Sequence, residues 1–133
     1  MILPKGLEAE LGEDLKIMEV FSWYDFPRLF EVKSNSREWL GLWINNLPNY
    51  EGDEWYYLKL NHWLMLQLLN KKIDIRTSFL CTQDIFSDKW KPIENPKVLK
   101  ITTRHKGLDS AEEVDINPNV LSKAGIYLKR LES

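Results

Sequence analysis

The sequence predicts an α+β domain: an antiparallel meander sheet of about five strands with one main amphipathic helix, at about 61–72, packed on one face. Three observations predict it. Partly alternating, aromatic-rich segments recur between residues 15 and 60, separated by short runs of turn composition. One later segment, opening at Asn61, carries apolar residues at helical spacing. Six Trp, five Tyr and five Phe make 12% of the chain, and side chains of this kind favour strands and bury large areas, which points first to a mixed sheet-and-helix core.

The first strand spans residues 15–23, after a stretch holding Pro4, Gly6 and Gly12 among acidic residues. Tyr24-Asp-Phe-Pro27 punctuates it, because proline fixes its own φ and restrains the residue before it. A second strand at 28–33 and a third at 37–45 are joined by Ser34-Asn35-Ser36, a hairpin link of about three residues. In the third strand Leu40, Leu42 and Ile44 share one face and Trp39, Gly41 and Trp43 the other. Both faces are therefore covered and the strand is central, with Gly41 leaving room for a close approach. The turn-rich residues 46–53 precede a fourth strand at 54–60.

Asn61 then caps the helix, whose Leu64, Met65, Leu66, Leu68 and Leu69 form a broad apolar arc. Asp74 caps a further short turn through Arg76 and Phe79. Pro92, Asn95 and Pro96 mark a loop before a fifth strand at 97–103. Residues 117–133 suit either a final strand or a final helix, with a turn at Asn117-Pro118 and Gly125 weakening any continuous helix. No repeat and no linker divides the chain, so residues 1–133 read as a single domain.

Composition excludes several classes. The formal charge is −2 with 44% hydrophobic and 29% charged residues, which is neither a disordered acidic tail nor a uniformly basic coat. One cysteine, Cys81, precludes an internal disulfide, and with two histidines it cannot build a zinc site of four Cys/His ligands. No apolar run reaches membrane-spanning length, and the N-terminus turns acidic at Glu8 and Glu10, so no membrane partner is expected and the expected location is the cytoplasm. The phosphate-cradling glycine motifs, the nucleophile elbow, the His-Glu-x-x-His helix and the calcium-loop pattern are all absent.

What remains is a short set of candidates. Cys81 with His62 or His105 supplies the parts of a thiol nucleophile, but Cys81 closes the apolar run Phe79-Leu80-Cys81 and reads as a small buried hydrophobe. Glu31-Val-Lys33, six residues after Asp25, has the Glu-x-Lys form of metal-dependent nucleases, where a carboxylate pair holds Mg²⁺; only one arm of that cluster is visible. No catalytic residue, metal ligand or cofactor is assigned. Residues 61–106 carry nine basic against four acidic groups. Lys89, Lys91, Lys97, Lys100, Arg104 and Lys106 could bind nucleic acid, with Trp90 stacking a base, or simply be the solvated lysines of an edge strand. The favoured candidate is a protein-binding surface. Trp63 falls between Gln67 and Asn70 on the polar side of the helix, where tryptophan is a typical interface anchor, and Trp90 and the pair flanking Gly41 are secondary. The competing account is that a neighbouring loop or the C-terminal segment covers Trp63.

Tyr24-Asp-Phe-Pro-Arg-Leu-Phe30, Trp39-Leu-Gly-Leu-Trp43 and Asn70-Lys-Lys-Ile-Asp-Ile-Arg-Thr-Ser-Phe79 together resemble a group of small bacterial domains of unknown function. The likeness covers roughly residues 20–80. It implies a prokaryotic or phage intracellular protein of α+β fold, and an accessory part of a larger assembly, with no catalytic residue to carry over. The expectation is a non-catalytic protein-interaction or accessory module, with nucleic-acid binding through residues 89–106 second and a metal-dependent nuclease third.

Overall fold

A computed structural model describes residues 15–34, 37–84 and 86–131. The expectations for residues 1–14, for Asn35-Ser36 of the hairpin link and for the last two residues lie outside these. The main sheet holds β1 (Lys16–Tyr24), β2 (Phe26–Ser34), β3 (Arg37–Asn46), β4 (Gly52–Leu60), β7 (Lys97–Arg104) and β8 (Ser110–Asp115), in the order β1-β2-β3-β4-β7-β8 with every pair antiparallel. Between β4 and β7 the chain leaves the sheet to form α1 (His62–Leu69), α2 (Ile75–Leu80) and a separate hairpin of β5 (Cys81–Gln83) and β6 (Trp90–Pro92).

The meander and the α+β class match the sequence reading, but the counts are corrected. Among the described residues the main sheet has six strands and not five, because β8 joins beyond β7. The main helix is shorter than the expected 61–72, ending at Leu69, and the short turn expected after Asp74 is a second helix, so the sheet carries two short helices. The fifth predicted strand is also interior, lying between β4 and β8, so its lysines do not guard an edge. Among the described residues the C-terminal segment, 117–131, is neither strand nor α-helix: one 3₁₀ turn at Pro118–Val120 leads into irregular chain.

Alternation along the strands divides the apolar side chains into two clusters on opposite faces. On the first face Leu29, Leu40, Tyr56 and Val98 meet Met65 and Leu68 of α1, Ile75 and Phe79 of α2, and Ile116, Leu121 and Leu128 of the C-terminal segment. On the second face Phe30, Val32, Trp55, Tyr57 and Ile101 pack with Trp39, Trp43 and Leu99. Pro27 sits where β2 pairs only with β1, its partner being Trp23; pairing with β3 begins at Leu29, so the missing N–H costs the sheet nothing there.

The helices are placed by caps. Asn61 Oδ1 accepts from Leu64 N–H at 2.7 Å and Asp74 Oδ1 from Thr77 N–H at 2.7 Å, as the sequence predicts for both. Asp74 Oδ2 also accepts from Gly125 N–H at 2.8 Å, which ties the C-terminal segment to the start of α2. Arg76 adds to that tie by donating to the Pro118 carbonyl at 2.9 Å.

Candidate interaction surface

The surface is built where α1 meets the β5–β6 hairpin. Apolar positions of α1 turn Met65 and Leu68 into the core, which leaves Trp63, Gln67 and Asn70 along one outer stripe at spacings of four and three. Trp63 is 53% exposed. Its Nε1 donates to Gln83 Oε1 at 2.6 Å, so the ring is held in one orientation against the hairpin. Gln67 is half-buried and Asn70, the C-cap, is exposed. Gln83 lies opposite Trp90 in the β5–β6 register, and Trp90 packs against the first-face core. The two tryptophans singled out in the sequence are therefore linked through Gln83, Trp63 exposed and Trp90 half-buried.

Asp84 ties together the described residues between β5 and β6. Its Oδ1 accepts from Phe86 N–H at 3.0 Å, its Oδ2 pairs with Lys91 Nζ at 3.1 Å, and its backbone N–H donates to the Lys89 carbonyl at 2.8 Å. The Phe86 backbone N–H and the Lys91 ammonium hold this carboxyl below its usual range. The result is Phe86 standing 92% exposed, within about 10 Å of chain from Gln83. Sequence reasoning missed Gln83, Asp84 and Phe86. The Asp-x-Phe-Ser-Asp turn composition signals a loop, but nothing in it shows that a polar loop would hold a phenylalanine outward.

The basic residues of 89–106 do not form one patch. Lys97 pairs with Asp115 at 2.8 Å, and Lys100 with Glu54 at 3.2 Å and Glu112 at 3.5 Å. By strand alternation these two lysines face opposite sides of β7. Burial works against the Lys100 charge, but the two glutamates outweigh it and raise its pKa. Arg104 bonds within its own turn, to the Leu108 carbonyl at 3.1 Å and Ser110 Oγ at 3.2 Å. Lys91 is held by Asp84 as above. That leaves Lys89, on the β5–β6 loop, and Lys106, on the β7–β8 turn, without ion-pair partners among the described residues.

The catalytic candidates are placed apart. Asp25 occupies the β1–β2 turn and Glu31 lies six residues along β2, a separation of about 20 Å that no single Mg²⁺ can bridge. Burial pushes the Glu31 carboxyl up, and Glu38, by charge and a shared hydrogen bond, pushes it further. Among the described residues no group of three His, Cys, Asp or Glu side chains is arranged to hold a metal ion. Burial and the Asp74 charge also raise the Cys81 thiol, the opposite of what a nucleophile needs. His105 is exposed at the far end of β7, where its backbone N–H donates to the Glu51 carbonyl. Among the described residues no helix is long and apolar enough to cross a membrane. Compared with protein-family models, curated proteins and solved structures, the chain gives no match.

Proposed function

We propose that this chain is a non-catalytic protein-interaction module that docks a partner protein on the corner formed by α1 and the β5–β6 hairpin. The observation that carries it is Trp63, more than half exposed yet fixed by its hydrogen bond to Gln83. An aromatic anchor held in one orientation loses little freedom on binding, so most of its desolvation energy goes to affinity. Phe86, three residues along the chain from Gln83, is a second, sequence-hidden anchor, and Gln67 and Asn70 supply polar contacts along the helix. Lys89 and the Asp84–Lys91 pair at the rim set orientation and association rate more than affinity, and favour an acidic rim on the partner. The family likeness read in the sequence supports a place in an intracellular assembly of a prokaryote or phage.

The test is affinity purification of tagged protein from its native host, with and without nuclease treatment. A protein partner survives nuclease treatment, and Trp63→Ala weakens its binding by at least about 30-fold, the loss of a typical hot spot. A second variant replaces residues 84–89 by Asn-Gly, which closes the hairpin with the favoured two-residue turn and deletes Phe86. It keeps the melting temperature within a few degrees and loses the partner. Recovery of nucleic acid alone, released by salt, would move the function to the lysines of 89–106 and discard this reading.

A further inference from the structure

The β3–β4 and β7–β8 turns meet at one end of the main sheet. Gly52 brings them together: a Cβ there would overlap the Thr103 carbonyl, so only glycine lets β4 start this close to the end of β7. One residue further out, His105 N–H donates to the Glu51 carbonyl at 2.9 Å and carries the contact beyond the paired strands. Leu47 N–H, donating to the Gly52 carbonyl at 2.9 Å, closes the β3–β4 turn.

Inside that turn Tyr50 has φ 56°, in the left-handed region. Its neighbour Asn49, φ 58°, is of a type that tolerates this conformation, whereas for a bulky residue such as tyrosine it is a costly outlier. Packing does not offset the strain, because Tyr50 is 79% exposed. A strained backbone that holds an unpacked ring outward marks a functional position. Tyr50 lines a cleft of about 360 Å³ with Glu51, His105 and Lys106, all of them exposed and so within reach of a ligand. Among the described residues neither Glu51 nor Lys106 takes part in an ion pair.

We propose that this cleft binds a free ribonucleoside monophosphate, its base stacked on Tyr50, its ribose hydroxyls donating to Glu51 and its phosphate accepting from Lys106 and His105. Exposed charges add little by themselves, so most of the affinity has to come from the Tyr50 face, and a nucleobase is the flat partner that such a ring stacks well. The remaining groups match the rest of a nucleotide. A carboxylate accepts from the paired ribose hydroxyls, while the Lys106 ammonium and a ring N–H of His105 donate to a phosphate. A volume of this size holds one nucleotide, which favours the free molecule over a strand. The cleft lies at the start of β4, about 25 Å along the strand from α1, so its failure would leave the partner surface untouched.

The test follows the backbone amide resonances of ¹⁵N-labelled full-length protein during titration with adenosine monophosphate (AMP), its deoxy form dAMP, adenosine or hexaadenylate RNA. The signals of residues 50, 51, 105 and 106 shift saturably with AMP, with a Kd of about 1 mM or tighter. The deoxy form, which lacks one ribose hydroxyl, and adenosine, which lacks the phosphate, each bind at least about threefold more weakly. Hexaadenylate binds no more tightly per strand than AMP. Lys106→Gln narrows the gap between AMP and adenosine, and Glu51→Ala the gap between AMP and dAMP. Tyr50→Gly relieves the turn, so it raises the melting temperature while weakening AMP at least about tenfold, a combination that a merely structural tyrosine would not give. No saturable shift with AMP up to about 10 mM, equal affinity for dAMP or adenosine, or unchanged AMP affinity in Tyr50→Gly would each overturn the proposal. Tighter binding of hexaadenylate would do the same, since an RNA strand would then be the ligand.

Discussion

Gly41 shows what a single position can and cannot declare. Its place between two tryptophans indicates a close approach, and a close approach occurs: a Cβ there would fall 2.7 Å from Phe30 Cζ and 2.9 Å from Tyr57 Cε1. The approaching groups are core rings of the neighbouring strands and not a partner, a distinction that depends on register and is invisible in the residue order. Glu31 carries a different lesson. The Glu-x-Lys spacing suggests a metal site, whereas burial and the neighbouring Glu38 and Glu19 give a carboxyl that resists ionisation. Its folded pKa lies above the ordinary 4.5, so its contribution to stability is complete below pH 4.5 and is lost as pH rises through the folded value. Glu31→Gln, which cannot ionise, therefore raises stability at pH 7 and leaves it little changed at pH 4. Urea midpoints measured at the two pH values check this, and a lower midpoint at pH 7 would contradict it. Asp74 shifts the other way. Burial works against its charge, but donors from Gly125 and Thr77 outweigh it and keep the carboxyl low, so its support for α2 is present above about pH 4 and fades as acid titrates it.

At the scale of elements, the helix boundary is the instructive error. The apolar arc runs to Leu69, and no glycine follows to signal a stop, so the sequence extends the helix to residue 72. The chain nevertheless closes a Schellman motif: Lys72 N–H donates to the Gln67 carbonyl at 2.9 Å and Lys71 N–H to the Leu68 carbonyl at 3.1 Å. Lys71 occupies the left-handed position with φ 58°, which a side chain disfavours and glycine does not. Lys71→Gly should raise stability by about 1 kcal/mol, read as a higher melting temperature by calorimetry. A decrease would mean the Lys71 side chain contributes more than its backbone costs. The other omissions have equally local causes. β5 and β6 are three residues each, too short for any period to register. β8 reads Ser-Ala-Glu-Glu-Val-Asp, with only one β-branched residue, and is recruited by pairing with β7. The proposed surface was legible in part for the same reason. Helical periodicity exposes Trp63, while Phe86 sits in a loop with no period to reveal which way it points.

For the whole molecule, the meander was legible because its strands follow one another with short turns, and each strand alternates strongly enough to show two faces. The placement of β7 was not, because pairing across a long excursion leaves no local mark. That single departure from sequential order sets how the molecule assembles in time. The hairpins within β1–β4 close short loops, whereas β4 pairs with β7 across separations from 104 − 52 = 52 residues at one end to 99 − 57 = 42 at the other. Closing the longer loop costs more chain entropy before any contact rewards it, so β1–β4 forms the folding nucleus and β7–β8 docks after the rate-limiting step. Val32→Ala in β2 should slow refolding, while Val114→Ala in β8 should chiefly speed unfolding, giving high and low φ-values respectively in stopped-flow chevrons. The reverse pattern would place the barrier at the return of the excursion. With the nucleus confined to β1–β4, the β5–β6 hairpin and its exposed rings join the structure late, and changes to that surface leave the speed of folding intact.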